Sequence, residues 1–211
     1  MQMRTWHVAG LAAIALPALW LLLAAPERVL GLDSGKSGMA LLVTAAWSSL
    51  LALSMLPRGE DESAVSPGEW KAWIGAGFML AAVAYFLSRA SVFAGADFGS
   101  HAAQSVARNL VMLLIAWAVL AQVMASRWKG AVQEDERDRE IAVRAAGWGR
   151  AALVFCLIGY AVMLGFSPPH KLQWASHFMI ANMLVFALMW GWLVECVATA
   201  LMYWRDRRAM A

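Results

Sequence analysis

Residues 178–194 read FMIANMLVFALMWGWLV and contain no Asp, Glu, Lys, Arg or His. Five other stretches of 17 or more residues share this property: 8–26, 37–57, 72–88, 109–126 and 151–169. An α-helix needs about 20 apolar residues, at a rise of about 1.5 Å each, to cross about 30 Å of hydrocarbon. With partly polar ends included, the pattern predicts six transmembrane helices at about 8–26, 37–57, 72–90, 102–126, 149–169 and 174–203. The predicted fold is an all-α helical bundle, a single integral membrane domain over residues 1–211.

The composition supports a membrane protein. Hydrophobic residues make up 62% of the 211 residues, charged residues 15%, and the mean hydropathy is +0.60. Soluble domains carry about 25% charged and 45–50% apolar residues. One soluble core of this size could not bury so much apolar surface, and intrinsic disorder is excluded by the same numbers. The two Cys do not indicate a disulfide framework.

The distribution of Lys and Arg predicts the orientation, because cytoplasmic loops of membrane proteins are enriched in both. Twelve of the 17 basic residues fall on one predicted side: Arg4, Arg58, Lys71, Arg127, Lys129, Arg137, Arg139, Arg144, Arg150, Arg205, Arg207 and Arg208. We therefore expect both termini in the cytoplasm, and no direct contact with nucleic acid. The first apolar run could imitate a signal peptide, but Pro26 directly follows the only suitable cleavage site. We expect an uncleaved first helix.

An internal repeat is predicted from residues that recur at nearly constant spacing. Trp73 recurs as Trp148, Tyr85 as Tyr160 and His101 as His177, at offsets of 75, 75 and 76. The acidic run at 60–62 recurs at 134–136, an offset of 74. The offset changes at the loops, where insertions are tolerated. Predicted helices 3–4 and 5–6 therefore form two copies of a helical hairpin.

Arg108 is the most costly residue to place, since charged side chains in a span usually face the bundle and have a partner. At about 100° per residue, His101, Ser105 and Arg108 share one helix face, with Gln104 beside them. With His177 from the repeat, this stripe predicts a ligand, ion or headgroup site in the outer half, between predicted helices 4 and 6. The alternative is that Arg108 extends outward to water or phosphate.

Metal or haem binding is a second possibility at the outer end. His101 and His177 could bind haem iron, or a metal together with Asp97 or His170. Interfacial His residues that only form hydrogen bonds are commoner, so no cofactor is expected. Glu195, inside the last span, is a possible proton or ion site, or a partner for an Arg. No nucleophilic grouping or nucleotide fingerprint is found, and we expect no enzyme.

Residues 126–150 form the most polar element, here called the handle. Asp135, Glu136, Arg137 and Arg139 lie in its charged run, and the pairs Asp135–Arg139 and Glu140–Arg144 have helical i,i+4 spacing. The fifth predicted helix therefore begins in the cytoplasm, before the membrane. The handle is either a solvated helix extension or a docking surface for a cytoplasmic regulatory protein.

Residues 135–141, DERDREI, followed by Arg144-Ala145, resemble the juxtamembrane DER(D/E)xxI motif of uncharacterised prokaryotic multi-pass membrane proteins. Such proteins are often encoded beside small helix-turn-helix regulators. The resemblance covers mainly 134–208 and includes His177, Asn182, Glu195 and Tyr203, whereas the ending at 204–207 departs from the family's adjacent basic residues. It implies a bacterial or archaeal inner membrane and no established activity.

These features predict a membrane-embedded sensor or regulatory partner that couples a lipid, small ligand or membrane signal to a cytoplasmic protein. The alternatives are a small transporter or channel-like protein and a haem or metal membrane protein. A transporter would need Arg108 and Glu195 to line a path for water. A homo-oligomer is compatible with all three of these functions.

Overall fold

The computed structural model describes residues 16–21, 28–29, 32–55, 67–93, 100–128 and 136–210. The helices are α1 (helical at 16–21), α2 (Ser34–Met55), α3 (Pro67–Ser88), α4 (Ala90–Phe93), α5 (His101–Trp128), α6 (Glu136–Phe166) and α7 (His177–Met210). A short antiparallel pair, β1 (Arg28–Val29) with β2 (Leu32–Asp33), precedes α2, and a 3₁₀ turn at Pro169–Lys171 follows α6. Apart from that pair, the regular structure in these ranges is helical, which confirms the predicted class.

Among the residues that the structure describes, four helices are long and apolar enough to cross a membrane: Gly68–Ser88, His101–Gln122, Glu136–Phe166 and His177–Ala209. They correspond to the third to sixth predicted spans. Helix α2 coincides with the second predicted span, and the first is described only at 16–21. The protein therefore has the helical, membrane-like character that its composition predicts.

Side-chain caps set the starts of three long helices. Asp33 Oδ1 accepts a hydrogen bond from the Lys36 backbone N–H at 3.1 Å, before α2. Ser100 Oγ accepts from the Ala103 N–H at 3.4 Å, and Ser176 Oγ accepts from the Met179 N–H at 3.2 Å. Such oxygens satisfy N–H groups that have no partner inside the helix. Residues 168–169, both Pro, follow the end of α6, where a proline cannot continue a helix.

Successive long helices run in alternating directions. Helix α3 is antiparallel to α7, since Gly68 lies against Tyr203 and Phe86 against Phe186. Helix α6 is antiparallel to α7 as well, since Arg137 near its start pairs with Asp206 and Gly149 lies against Gly191. The starts of α3 and α6 therefore meet the end of α7 at one end of the bundle. We call it the charged end, because four ionised side chains, Glu69, Arg137, Asp206 and Arg207, pair there.

The apolar core lies among α2, α3, α5 and α7. Its fully buried side chains include Leu50, Met79, Leu110, Leu113, Leu120 and Met189. Ala18 of α1 is buried in the same cluster. Helix α6 lies at the edge and packs mainly on α7, so its large apolar side chains face outward, with Phe155 81% and Phe166 85% exposed. In water such a face would be unstable, whereas in a bilayer lipid covers it.

Helix α6 approaches α7 closely at a glycine contact. A Cβ built on Gly149 would lie 2.8 Å from Glu195 Cβ and 2.9 Å from the Gly191 carbonyl oxygen. Small residues allow the two backbones to approach closely. Helices in a membrane associate through such van der Waals packing, because lipid supplies no hydrophobic driving force between them. The 31 residues of α6 span about 46 Å, more than the hydrocarbon thickness. The helix therefore extends beyond the apolar layer at its handle end.

Candidate ligand cavity at the charged end

The handle is attached to the end of α7 by two polar contacts. Arg137 Nη2 and Nε donate to Asp206 Oδ2 at 3.1 and 3.2 Å, and Tyr203 Oη donates to Asp138 Oδ1 at 3.0 Å. We call these four residues the α6–α7 polar cluster. The Arg137 and Asp206 side chains are 42% and 45% exposed, so solvent weakens their attraction. The cluster therefore positions the handle without fixing it strongly.

A more buried contact joins α3 to α7. Arg207 Nη2 donates to Glu69 Oε1 at 3.1 Å, and the Trp73 indole N–H donates to the same oxygen at 3.4 Å. The Glu69 side chain is only 3% exposed, while Arg207 is 40% exposed. A buried carboxylate is costly unless it is paired and hydrogen-bonded. This contact therefore fixes the register of α3 against α7.

A cavity of about 820 Å³ lies beside these contacts, between α3, α5, α6 and α7. Pockets of this size bind small molecules in many proteins. Its polar lining residues are Lys71, Gln122, Asp138, Arg139, Glu195, Thr199 and Tyr203, and its aromatic lining includes Trp117 and Trp192. Asp138 and Tyr203 belong both to the cavity and to the α6–α7 polar cluster. The wall of the cavity is thus directly connected to the handle.

Glu195 lies on the cavity wall where α6 and α7 approach most closely. It is half-buried, and its side chain lies against Gly149 of α6. The sequence predicted Glu195 as a possible proton or ion site and, separately, Arg139 as a docking residue. The structure brings both to one cavity. The carboxylate on α7 and the guanidinium on α6 can therefore act on the same ligand.

The other predicted docking residues have different surroundings. Glu136 is exposed, Arg137 is paired with Asp206, and Asp135 lies outside the described residues. The expected i,i+4 pair of Glu140 and Arg144 is present, with Nη2 and Oε1 at 2.6 Å, and both side chains are exposed. The handle thus offers an exposed face around these two residues and a second face that α7 occupies.

The predicted outer stripe faces away from the core. His101, Gln104 and Arg108 are exposed, and Ser105 is partly exposed and donates to the Ala102 carbonyl at 2.9 Å. The next residue, Asn109, is buried instead, and its amide donates to the Tyr85 hydroxyl at 3.3 Å.

The end of α7 opposite the charged end contacts aromatic residues of α3 and α4. His177 is exposed, while its neighbour Phe178 lies 5.9 Å from Phe93, measured between ring centroids, and Phe86 lies 5.6 Å from Phe93. The contacts that surround α7 at this end are therefore apolar. The ligand site predicted from Arg108 and His177 stays a prediction. Asp97, a weak candidate for a metal ligand, lies outside the described residues.

The sequence contains a local signal for one wall of the cavity. Glu195, Thr199 and Tyr203 are spaced by four residues, which places them on one helix face. Lys71 and Asp138, which line the same cavity, come from other helices and have no such local pattern. Within the described residues, no group of three or more His, Cys, Asp or Glu side chains is arranged to hold a metal ion.

The surroundings of the cavity thus consist of charged and aromatic side chains from four helices, with no sequence motif that names a ligand. Comparison of the chain with known protein families, with curated proteins and with solved structures found no match. The family resemblance of residues 134–208 therefore stays a prediction.

Proposed function

We propose that the protein is a membrane-embedded sensor or regulatory partner. A small ligand or membrane signal acts on the cavity at the charged end, and the handle transmits the change to a cytoplasmic protein. One observation carries the proposal: Asp138 and Arg139 of the handle line the same cavity as Glu195 of the bundle. A ligand that contacts all three changes the contacts of the handle directly, without a longer pathway through the protein.

The attachment of α6 supports the same proposal. Helix α6 packs mainly on α7, and the Arg137–Asp206 ion pair of the α6–α7 polar cluster is exposed to solvent. Exposed ion pairs contribute about 0–1 kcal/mol each. A ligand with modest differential affinity is therefore sufficient to shift the position of the handle.

The function test uses Asp206→Arg, which reverses the charge opposite Arg137. We expect release of the handle, seen as faster hydrogen–deuterium exchange over residues 136–146, and altered recovery of a bound protein from native membranes. The double variant Arg137→Asp/Asp206→Arg restores the opposite charges and is expected to reverse both effects. Recovery of the same proteins in the same amounts from all three preparations would contradict the proposal.

A matched control for this test lies on the exposed face of the handle. Glu140→Arg makes the same charge change, but Glu140 pairs with Arg144 of its own helix rather than with α7. We expect the exchange of residues 136–146 to stay near that of the unmodified protein. If Glu140→Arg increased the exchange of residues 136–146 as much as Asp206→Arg does, the change in net charge alone would explain the result.

We further propose that the protein crosses a bacterial inner membrane six times, with both termini in the cytoplasm. Among the described residues, the charged end collects Lys71, Arg137, Arg139, Arg144, Arg205, Arg207 and Arg208, and residues 33 and 169 both lie at the opposite end. Reporter fusions at residues 33, 97 and 169 are expected to be external, and fusions at 62 and 133 cytoplasmic. An alkaline phosphatase and green fluorescent protein pair measures this, and a cytoplasmic signal at 97 would overturn the topology.

The hairpin repeat is part of the proposal. It is supported by Ser100 and Ser176, which cap α5 and α7 in the same way and precede His101 and His177. The offset between the two Ser is again 76 residues. The same cap at the same point of two hairpins is what a duplicated unit retains.

A small transporter is the second candidate, favoured by the position of Glu195 on the cavity wall together with Lys71. Ionisable residues that line a cavity inside a membrane commonly form ion or substrate pathways. The two functions differ in where the cavity opens. Reaction of an engineered Cys at position 199 with an impermeant reagent from both sides of the membrane would favour transport, and reaction from one side only would favour the sensor.

A further inference from the structure

A second concavity lies on α7, on the side of the helix away from Glu195. It has a volume of about 760 Å³ and runs between α3 and α6. Its lining includes Trp73, Gly77, Trp148, Trp190, Leu201 and Arg205. At about 100° per residue, positions 190, 201 and 205 lie on the opposite face of α7 from 195, 199 and 203. We call this concavity the lateral groove, and it goes beyond the function proposed above.

The lateral groove is apolar along its length and open along its floor. A Cβ built on Gly77 would meet no atom within 4 Å. The three Trp side chains, at 73, 148 and 190, are 42%, 62% and 39% exposed, so they stand at its sides. Since the groove lies on membrane-length helices, its natural occupant is an apolar chain rather than water.

Two of the indole rings are held in place before any occupant arrives. The Trp73 ring is oriented by the hydrogen bond from its N–H to Glu69. The Trp190 ring stacks on Phe186, with centroids 6.3 Å apart and an interplanar angle of 15°. Rings fixed in this way lose little conformational entropy when a ligand binds.

The charge and length of the groove define its occupant further. Arg205 lies at the charged end, and Trp190 lies 15 residues further into α7, about 22 Å away along the helix. This distance covers the headgroup layer and the roughly 15 Å half-thickness of the hydrocarbon. A guanidinium at the headgroup level favours a phosphate that carries net negative charge.

We infer that the lateral groove binds one anionic phospholipid from the surrounding bilayer, with its phosphate at Arg205 and an acyl chain between Trp73 and Trp148. Zwitterionic lipids fit the groove equally well in shape but lack the net charge. The site therefore distinguishes lipids by headgroup. It also joins α3 to α6, two helices that pack separately on α7.

Native mass spectrometry with equimolar phosphatidylglycerol and phosphatidylcholine of identical acyl chains tests this inference. Attraction between one Arg and an anionic lipid predicts an excess of about five-fold for the phosphatidylglycerol complex. Arg205→Gln should remove the excess, and Gly77→Leu, which fills the floor, should reduce binding of both lipids. Equal binding of the two lipids to the unmodified protein would overturn the inference.

Two controls separate the groove from general effects. Gly159→Leu adds the same side chain on a different helix, α6, at a position where a Cβ meets nothing within 4 Å, and Arg144→Gln removes an exposed charge of the handle. Both are expected to keep the lipid ratio of the unmodified protein. If Gly77→Leu does not fold, Arg205→Gln decides the outcome alone. A protein dimer that Gly77→Leu dissociates, without lipid preference, would assign the groove to a second copy and overturn the inference.

Discussion

Replacing Gly149 with valine is expected to separate α6 from α7 and to lower the free energy of unfolding by about 3 kcal/mol. The reason is that a Cβ at this position would lie 2.9 Å from the Gly191 carbonyl oxygen, a backbone atom that can move only if the helices move apart. The new side chain would also meet Glu195, whose Cβ lies 2.8 Å from the same point. Titration of the purified protein with a denaturing detergent measures the loss.

Gly147 provides the matched control, two residues earlier in the same helix. A Cβ there would meet no atom within 4 Å, so Gly147→Val makes the same chemical change without the clash. We expect a change within about 0.5 kcal/mol, because valine and glycine differ little in helix propensity. If both variants lose the same stability, the glycine contact between α6 and α7 is not what holds the hairpin together.

Glu69→Ala is expected to give the second largest effect, a loss of about 2–3 kcal/mol. Removing one partner of a buried ion pair leaves the other charge uncompensated, which costs about 3–5 kcal/mol when both partners are fully buried. The lower value applies here because the Arg207 side chain is 40% exposed and can reach water. The Trp73 N–H also loses its acceptor. Stability is measured in the same detergent titration.

A double-mutant cycle makes this prediction specific. If the ion pair causes the effect, the free energy of unfolding should fall clearly less in Glu69→Ala/Arg207→Ala than the sum of the losses in the two single variants. Glu140→Ala is the comparison on the surface, where the partner Arg144 is 68% exposed, and it should change stability by less than about 0.5 kcal/mol. Additive effects of the two charged-end substitutions would show that Glu69 acts through something other than Arg207.

The four membrane-length helices were predictable because they depend on local composition. Residues 178–194 lie wholly within α7, and the start of α6 at Glu136 agrees with a handle that is already helical before the membrane. Length and the absence of charge are properties of each segment alone. The helical class needed no knowledge of how the segments pack.

The site was less predictable because it depends on how each helix is rotated about its axis. A membrane helix such as α7 is apolar on nearly all sides, so its pattern does not say which side faces the bundle. Arg108 and His101, which were predicted to share one helix face, are both exposed, and the buried polar residue in this part of α5 is Asn109. Similarly, the pairing of Glu69 with Arg207 joins residues 138 positions apart and leaves no local signal.

The close contact of Gly149 with Gly191 gives α6 the geometry of a lever with a fulcrum near its middle. Gly149 lies 13 residues from Glu136 and 17 from Phe166, so the two arms are about 20 and 26 Å long. Any tilt of α6 about this point moves the two ends in opposite directions by similar distances. Lateral pressure on the exposed Phe166, at one end of α6, would therefore be converted into an opposite, nearly equal displacement of Glu136 at the other end.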